Sequence, residues 1–166
     1  MRTAIIETPL GAIQAAAADK GLSGLWFVGQ KYFPAAAQTW VKEPTLPVFA
    51  ALKSWLEDYF AGKNPEITLP LAPQGTAFQQ AVWDILLKIP YGKTSTYGEI
   101  AAQLNAGKKG AAQAVGGAVG HNPISLLIPC HRVLGAGGSL TGYAGGLDKK
   151  RALLELESGA PELDYG

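Results

Sequence analysis

The sequence predicts an α+β protein in which a small sheet-and-helix domain precedes a mainly helical domain. Three short strand-like segments and one amphipathic helix occupy the first part of the chain, and several short helices occupy the second. A stretch over 69–75 contains two prolines and a glycine, and we interpret it as a linker. We therefore expect an amino-terminal domain over 1–70, with a structural role, and a second domain over 76–166.

The composition is that of a globular protein and limits the sites it can hold. Of 166 residues, 48% are apolar and 16% charged, and the net charge is +1. The single cysteine, Cys130, excludes an intrachain disulfide framework and a cysteine-based structural zinc site. We expect a protein of the reducing cytoplasm without a membrane span or a signal peptide. We also expect no metal and no cofactor.

Turn residues and hydrophobic periodicity predict the elements of the first domain. Three segments have the length and bounding turns of strands, namely 2–7, 11–18 and 21–28. Residues 29–46 are expected to be irregular. A helix is predicted from Pro47 until Gly62, because apolar residues recur at helical spacing between them. We interpret this stripe as core.

Two capping-box pairs mark helix starts in the second domain. They are Thr76 with Gln79 and Thr96 with Glu99. The predicted helices run over 77–88, 97–104 and 109–119, with a tight turn at 105–107. Two short helices joined by a glycine-containing turn are typical of a helix-turn-helix, although many helical hairpins share this pattern.

The predicted helix over 109–119 has an outer face almost without large side chains. Such a face allows close approach of another helix or of a nucleic-acid groove. The segment from Lys88 to Arg132 contains five cationic residues and one anionic residue. Its net charge is therefore +4, in a protein that is nearly neutral as a whole. Either a solvated surface or a polyanion partner explains this excess.

The carboxy-terminal part is predicted to contain a hairpin and a last helix. We expect 133–134 to turn through 135–138 into 140–141. The glycine-rich stretch 142–146 offers backbone N–H groups to a ligand or forms a flexible turn. Asp148 is expected to cap a helix that ends near Glu157. A carboxylate at that end is disfavoured by the helix dipole, which indicates a specific partner, although acidic residues at helix ends are often simply solvated.

Cys130 is the candidate for reactive chemistry. An apolar run over 124–128 and then Pro129 precede it, so we expect an extended segment. His131 and Arg132 follow it, and such neighbours are where a lowered thiol pKa is expected. The alternative is an inert cysteine in the core.

The motif Ile-Pro-Cys-His-Arg-Val at 128–133 resembles the active-site signature of the O6-alkylguanine-DNA alkyltransferases, also called methylated-DNA–protein-cysteine methyltransferases. The resemblance extends without a gap from about Phe78 to Glu157. Further matching segments are Thr96-Tyr97, 114–117, Asn122-Pro123, 141–146 and Leu153-Leu154. It implies a winged helix-turn-helix second domain that carries the active site. The first domain resembles the ribonuclease H-like domain of free-standing members only in element order and in one helix end.

The resemblance implies direct-reversal DNA repair. The protein would bind duplex DNA in the minor groove, flip the damaged nucleotide, and transfer the alkyl group of O6-alkylguanine, and of O4-alkylthymine, irreversibly to Cys130. His131 would remove the thiol proton through a water, and Glu157 would orient the imidazole. Asn122 would hold the turn before the active-site segment. Tyr97 would bind a guanine ring nitrogen and stabilise the departing anion.

The same resemblance assigns the remaining contacts. The residues placed at the base or the DNA are Tyr97, Ala112, Gln113, Arg132, Val133, Tyr143, Ala144 and Gly145. Arg132 is either a structural or a DNA-facing cation. Gln113 departs from the family, which usually has an arginine there that enters the base stack. The expected partner is double-stranded DNA containing O6-alkylguanine, bound by a monomer, without a membrane.

Three other functions compete with this one. The main alternative is a non-catalytic DNA-binding module that senses alkyl damage, but such proteins lack the cysteine. A Cys-His hydrolase usually has its two residues far apart in sequence, and it has no use for a helix-turn-helix. The third is a DNA-binding regulator in which Cys130 is structural.

Overall fold

The computed structural model describes residues 1–104 and 111–159 and divides into two compact units. The predicted turn at 105–107 and the first two residues of the predicted helix 109–119 lie outside the described residues. Within the described part, no helix has the length and apolarity needed to cross a membrane.

Unit 1, Met1–Gln74 with Pro123–Ser125, contains a four-stranded sheet. Its strands are β1 (Arg2–Thr8), β2 (Gly11–Ala18), β3 (Gly21–Phe27) and β4 (Val41–Lys42), in the order β3-β2-β1-β4. The first three strands pair antiparallel and match the predicted strands, whereas β4 runs parallel to β1. The expectation that 29–46 is irregular is wrong in part, since β4 and a 3-10 turn at Ala35–Thr39 fall there.

One helix, α1 (Pro47–Phe60), completes the core of unit 1. Its buried residues are Phe49, Leu52, Trp55, Leu56 and Tyr59. The rings of Trp55 and Tyr59, one helical turn apart, stack with centroids 5.1 Å apart. The predicted apolar stripe is therefore core.

Two short segments cover the outer edge of β3 in unit 1. Leu22 exchanges backbone hydrogen bonds with 70–72 at 2.9 and 2.7 Å, and Leu25 exchanges bonds with 123–125 at 2.8 and 3.0 Å. Gly21 permits the first contact, because a Cβ there would lie 2.5 Å from the Pro70 carbonyl oxygen. Part of the predicted linker thus pairs with the sheet, and so does the chain that leads to Cys130.

Unit 2 is mainly helical. Its elements are α2 (Ala77–Leu87), β5 (Ser95–Thr96), α3 (Tyr97–Gln103), α4 (Ala111–Gly120), β6 (Val133–Leu134) and α5 (Leu147–Ser158). Helix α4 packs against both α2 and α3. The buried indole N–H of Trp83 donates to the carbonyl of Ala118 at 2.9 Å, which fixes α2 to α4.

Both hydrogen bonds of the first predicted capping box are present, but only one of the two is present in the second. Thr76 and Gln79 bond each other's backbone amides at 3.1 and 2.9 Å. Thr96 accepts from the amide of Glu99 at 3.1 Å, but the carboxylate of Glu99 accepts from the hydroxyl of Ser95 at 3.0 Å instead of returning to Thr96. The Ser95 hydroxyl therefore takes the place of the Thr96 amide as the donor to this carboxylate.

The predicted hairpin at 133–141 is wrong. Strand β6 pairs in parallel with β5, with Val133 opposite Ser95 and Leu134 opposite Thr96. The chain then turns, and the amide of Gly135 donates to the carbonyl of Ser139 at 2.9 Å without continuing into a strand. Val133 therefore pairs with a residue 38 positions earlier in the sequence, Ser95, and not with the segment 140–141 that the hairpin would have brought beside it.

The predicted cap of the last helix is also displaced. Gly146, with φ +100°, is the residue before α5, and Asp148 lies inside the first turn. The carboxylate there still interacts favourably with the positive end of the helix dipole.

Candidate active site

Cys130 opens a 3-10 turn, Cys130–Arg132, directly after Pro129. The amide of Arg132 donates to the carbonyl of Pro129 at 3.0 Å, so the expectation of an extended segment is wrong at the thiol. Proline fits before such a turn because the first positions of a helix need no N–H donor. Only 6% of Cys130 is exposed.

Asn122 fixes the main chain before this turn. Its buried side-chain amide donates to the carbonyl of Ile128 at 2.8 Å. Between the two residues, Leu126 has φ +72°, a conformation that is strained for a side chain with a Cβ. The surrounding contacts therefore hold the approach to Cys130 in a conformation that it would not adopt alone.

Glu157, near the end of α5, accepts hydrogen bonds on both of its carboxylate oxygens. One carboxylate oxygen accepts from His131 Nε2 at 2.5 Å and from Arg132 Nη2 at 3.1 Å. The other accepts from Arg132 Nε at 2.7 Å and from the amide of Gly92 at 3.2 Å. The sequence predicted a specific partner for this carboxylate, and most of the bonds come from His131 and Arg132 in the turn that contains Cys130.

The His131–Glu157 pair is a neutral imidazole beside an ionised carboxylate. Burial alone would raise the pKa of Glu157, but its contacts with His131 and Arg132 outweigh burial and lower the pKa to about 2. Burial lowers the pKa of His131 and outweighs the opposite effect of Glu157. Because Nε2 donates to the carboxylate, Nδ1 is the basic nitrogen in this assignment of the tautomer.

The Cys130 thiol has a raised pKa, so the lowered value expected from its sequence neighbours is wrong. Burial is the largest cause; a hydrogen bond with Asn122 and the charge of Lys150 act in the opposite direction without outweighing it. The resting thiol is therefore protonated at neutral pH. A nucleophilic thiolate has to form by proton transfer to a nearby base.

Arg132 makes its contacts within the protein. It binds Glu157 through two nitrogens, and its Nη1 donates to the carbonyl of Ile89 at 2.7 Å. Its guanidinium carbon lies 5.8 Å from the centre of the Tyr91 ring. Of the two alternatives for this residue, this geometry favours the structural one, because the two-pronged contact holds the carboxylate in a fixed orientation.

Tyr97 lies beside the glycine-containing turn that follows β6. Its hydroxyl donates to the carbonyl of Thr141 at 3.4 Å, and a Cβ on Gly142 would come within 3.2 Å of that hydroxyl. Burial, followed by the nearby thiol, raises the pKa of Tyr97, so it remains a donor at neutral pH. Tyr143, Ala144 and Gly145 continue this turn and are half-buried.

Helix α4 presents a bare face to solvent. Ala112, Gln113, Ala114 and Gly117 are exposed, while its buried residues are Val115, Ala118 and Val119. The small-residue outer face predicted for 109–119 is thus present in the described part of this helix. Gln113 and Ala112 lie on this surface, whereas Cys130, His131, Arg132, Asn122 and Glu157 form one contiguous cluster.

Lys150 was not among the site residues predicted from the sequence. It is fully buried, and its ammonium donates to the carbonyls of Val133 at 2.5 Å, Thr141 at 2.6 Å and Gly142 at 3.0 Å. A signal was present, because Lys150, Leu153, Leu154 and Glu157 share one helical stripe at i, i+3, i+4 and i+7.

Two family models match the chain. Residues 77–159 match the DNA-binding domain of 6-O-methylguanine DNA methyltransferase, and residues 1–73 match its ribonuclease-like domain. Proteins named methylated-DNA–protein-cysteine methyltransferase are similar over almost the whole chain. The one from Mycobacterium tuberculosis is 47% identical over 159 residues, covering 96% of this chain and 93% of the relative. That from Haemophilus influenzae is 45% identical, covering 96% and 87%.

The crystal structure of Mycobacterium tuberculosis OGT in complex with DNA superposes with a TM-score of 0.85 at 46% identity. The match covers 97% of this chain and 96% of that one. A structure of the O6-methylguanine methyltransferase of the same organism gives a TM-score of 0.82 at 47% identity, covering 98% and 94%. The two-domain fold, the sequence similarity and the Cys130–His131–Glu157 cluster agree: the chain belongs to the 6-O-methylguanine DNA methyltransferase family.

Proposed function

We propose that this protein repairs DNA by direct reversal, transferring the alkyl group of O6-alkylguanine, or of O4-alkylthymine, to Sγ of Cys130. The observation that carries the proposal is a buried thiol in one turn with His131, whose imidazole is held by the ionised Glu157. Support comes from the similar proteins, which are named methylated-DNA–protein-cysteine methyltransferase. The chain itself is the acceptor, so each molecule reacts once.

His131 and Glu157 provide the base that the raised thiol pKa requires. The thiol proton passes to His131 Nδ1, directly or through a bridging water, and Glu157 stabilises the imidazolium that forms. The thiolate then attacks the alkyl carbon. The new bond joins carbon to sulfur, the bond between carbon and O6 breaks, and its electron pair leaves with the guanine.

Tyr97 and the turn over 141–146 form the proposed base site. The protonated Tyr97 hydroxyl donates to a ring nitrogen of guanine and stabilises the departing anion. Tyr143, Ala144, Gly145 and the backbone of Val133 wall the base. Asn122 keeps the thiol turn in place by its bond to Ile128.

Double-stranded DNA is the proposed partner, contacted by the exposed face of α4 that carries Ala112 and Gln113. Small side chains there let the helix approach the minor groove closely while the damaged nucleotide is flipped. We assign DNA binding and alkyl acceptance to 76–166, a structural role to 1–70, and the connection to 69–75. The protein is expected to act as a monomer on cytoplasmic DNA.

Intact-protein mass spectrometry after mixing with O6-methylguanine duplex tests the proposal. We expect a gain of one methyl mass, located on Cys130 by peptide mapping, with no further increase in excess substrate. A non-catalytic damage-sensing module would bind the duplex without any mass change, and a hydrolase would release product repeatedly. Either result contradicts alkyl transfer.

Gln113→Arg is expected to tighten binding of duplex DNA and to speed its repair. Each cation that contacts phosphate adds roughly one to the slope of log affinity against log salt. A cation on the exposed face of α4 also favours an extrahelical base by occupying its place. The measurement is the rate of transfer from duplex O6-methylguanine at several salt concentrations, with affinity from fluorescence anisotropy.

The free O6-alkylguanine base is the substrate control for Gln113→Arg, because there is nothing to flip. Gln38→Arg, the same change at an exposed position of unit 1, is the charge control. Equal acceleration with duplex and free base would mean that position 113 acts on the pocket. An unchanged duplex rate and affinity would mean that this face of α4 does not enter the groove.

A further inference from the structure

Lys150 is a buried cation that the steps above do not use. Lysine is almost never fully buried unless paired, yet the exposed fraction of Lys150 is 0%. Its three N–H donors are satisfied by three main-chain carbonyls, those of Val133, Thr141 and Gly142. An ammonium has three donors and no acceptor, so this cage uses its full hydrogen-bonding capacity.

The three carbonyls belong to different parts of the proposed pocket. Val133 directly follows the turn that carries Cys130 and starts β6. Thr141 also accepts from the Tyr97 hydroxyl at 3.4 Å. Gly142, with φ +58°, begins the turn that is proposed to wall the base. One ammonium thus joins the strand after the thiol to the segment beside Tyr97.

The charge of Lys150 also acts on the thiol. Burial lowers the pKa of Lys150 to about 8, and the nearby Cys130 acts in the opposite direction. The side chain is therefore mostly charged at neutral pH, and its charge in turn favours the thiolate. A methylene chain of the same length would fill the space without either effect.

We propose that Lys150 is a positioning residue for alkyl transfer, which holds the Thr141–Gly142 main chain against the strand that follows Cys130. The inference rests on the proposed function. Without the ammonium, the turn over 142–145 loses its fixed distance from the thiol, and the base is no longer presented to sulfur in a reactive geometry. Misplacement of reacting groups by about 1 Å lowers rates on the order of 100-fold.

The test compares Lys150→Met with Lys149→Met, the same change one position earlier on α5 and only partly buried. We expect Lys150→Met to slow transfer from free O6-methylguanine and from duplex on the order of 100-fold. Labelling of Cys130 by iodoacetamide should change by no more than about tenfold, which corresponds to a pKa change of about one. Melting temperature and DNA affinity are measured on the same samples, and Lys149→Met should behave as wild type.

Three outcomes would overturn the inference. The first is a rate of alkyl transfer by Lys150→Met equal to that of the wild-type protein. A parallel loss of transfer, thiol labelling and folding is the second, since it would assign the lysine to the fold alone. The third is independent of any variant: protons on a buried, hydrogen-bonded ammonium exchange slowly with water, so Lys150 Nζ of the wild-type protein should give a resolved nitrogen-15–proton signal at neutral pH. Exchange as fast as that of a solvated lysine would mean that the ammonium is not caged. A wild-type protein without transfer activity would instead refute the proposed function.

Discussion

Cys130→Ser is expected to abolish alkyl transfer while leaving affinity for duplex DNA within a few-fold of wild type. The pKa of a serine hydroxyl lies far above that of a thiol, so its nucleophilic anion is scarcer at neutral pH by several orders of magnitude. Burial, which already raises the pKa of Cys130, disfavours an alkoxide as well. The proposed DNA contacts lie on α4 and are unaffected.

The measurement is methyl transfer by mass spectrometry, with affinity from fluorescence anisotropy on the same preparation. Cys130→Ala is the matched variant, because it removes the nucleophile without leaving a hydroxyl. Transfer by the serine variant at a rate comparable to wild type would remove Cys130 from the mechanism. Loss of DNA binding in both variants would show that the thiol also supports the fold.

Elements that depend on local sequence were predictable. Helix α1 follows from an apolar stripe between Pro47 and Gly62, and α2 from a capping box in which Thr76 and Gln79 need only each other. Turn residues separate β1, β2 and β3 at short intervals, and each pairs with its neighbour in sequence. In all these cases the interactions that define the element lie within a few residues of its ends.

The wrong predictions concern elements for which the chain offers more than one partner. Val133 and Leu134 have strand character, but the sequence around them does not reveal that Ser95 and Thr96 offer an edge. Glu99 has the spacing of a capping box, yet Ser95 takes its carboxylate. The first contact is distant in sequence and the second is local, and in each case a partner that periodicity and spacing do not identify competed with the predicted one.

The candidate site also contains residues that could be predicted from the sequence and properties that could not. The adjacent residues Cys130 and His131 were found from the motif, and Glu157 was singled out by its unfavourable helix position and by resemblance. The predicted direction of the pKa shift of Cys130 was wrong, because burial raises this pKa by more than the charged neighbours lower it. Lys150 was missed because lysine is usually solvated, although its place on the buried stripe of α5 was visible in the sequence.

Glu157→Gln is expected to lower both the rate of alkyl transfer and the stability of the protein. The carboxylate accepts from His131, from Arg132 twice and from Gly92, whereas an amide has one acceptor oxygen and brings N–H donors to the same place. His131 then loses the charge that stabilises its protonated form. Loss of general base catalysis lowers rates by about 10²–10⁴-fold.

The stability loss follows from the Arg132 guanidinium, which would remain largely buried without its counter-ion. Breaking such a pair on one side costs about 3 kcal/mol, or roughly 6–12 °C in melting temperature for a protein of this size. Glu155→Gln, two positions earlier on α5, is the matched control and should change the unfolding free energy by less than about 0.5 kcal/mol. Urea unfolding at pH 7 measures both.

The stability difference between wild type and Glu157→Gln should depend on pH with a definite sign. The folded pKa of Glu157 is about 2, below the ordinary value of 4.5, so between these values the unfolded chain binds more protons than the folded one. The stabilisation by the carboxylate is therefore complete above about pH 5 and is lost as the pH falls from 4.5 towards 2. Wild type and variant should thus converge in acid, while Glu155→Gln should follow wild type throughout. A difference that stays constant between pH 7 and pH 3 would mean that Glu157 is not ionised in the cluster, and His131 would then have no charged partner to support it as the base.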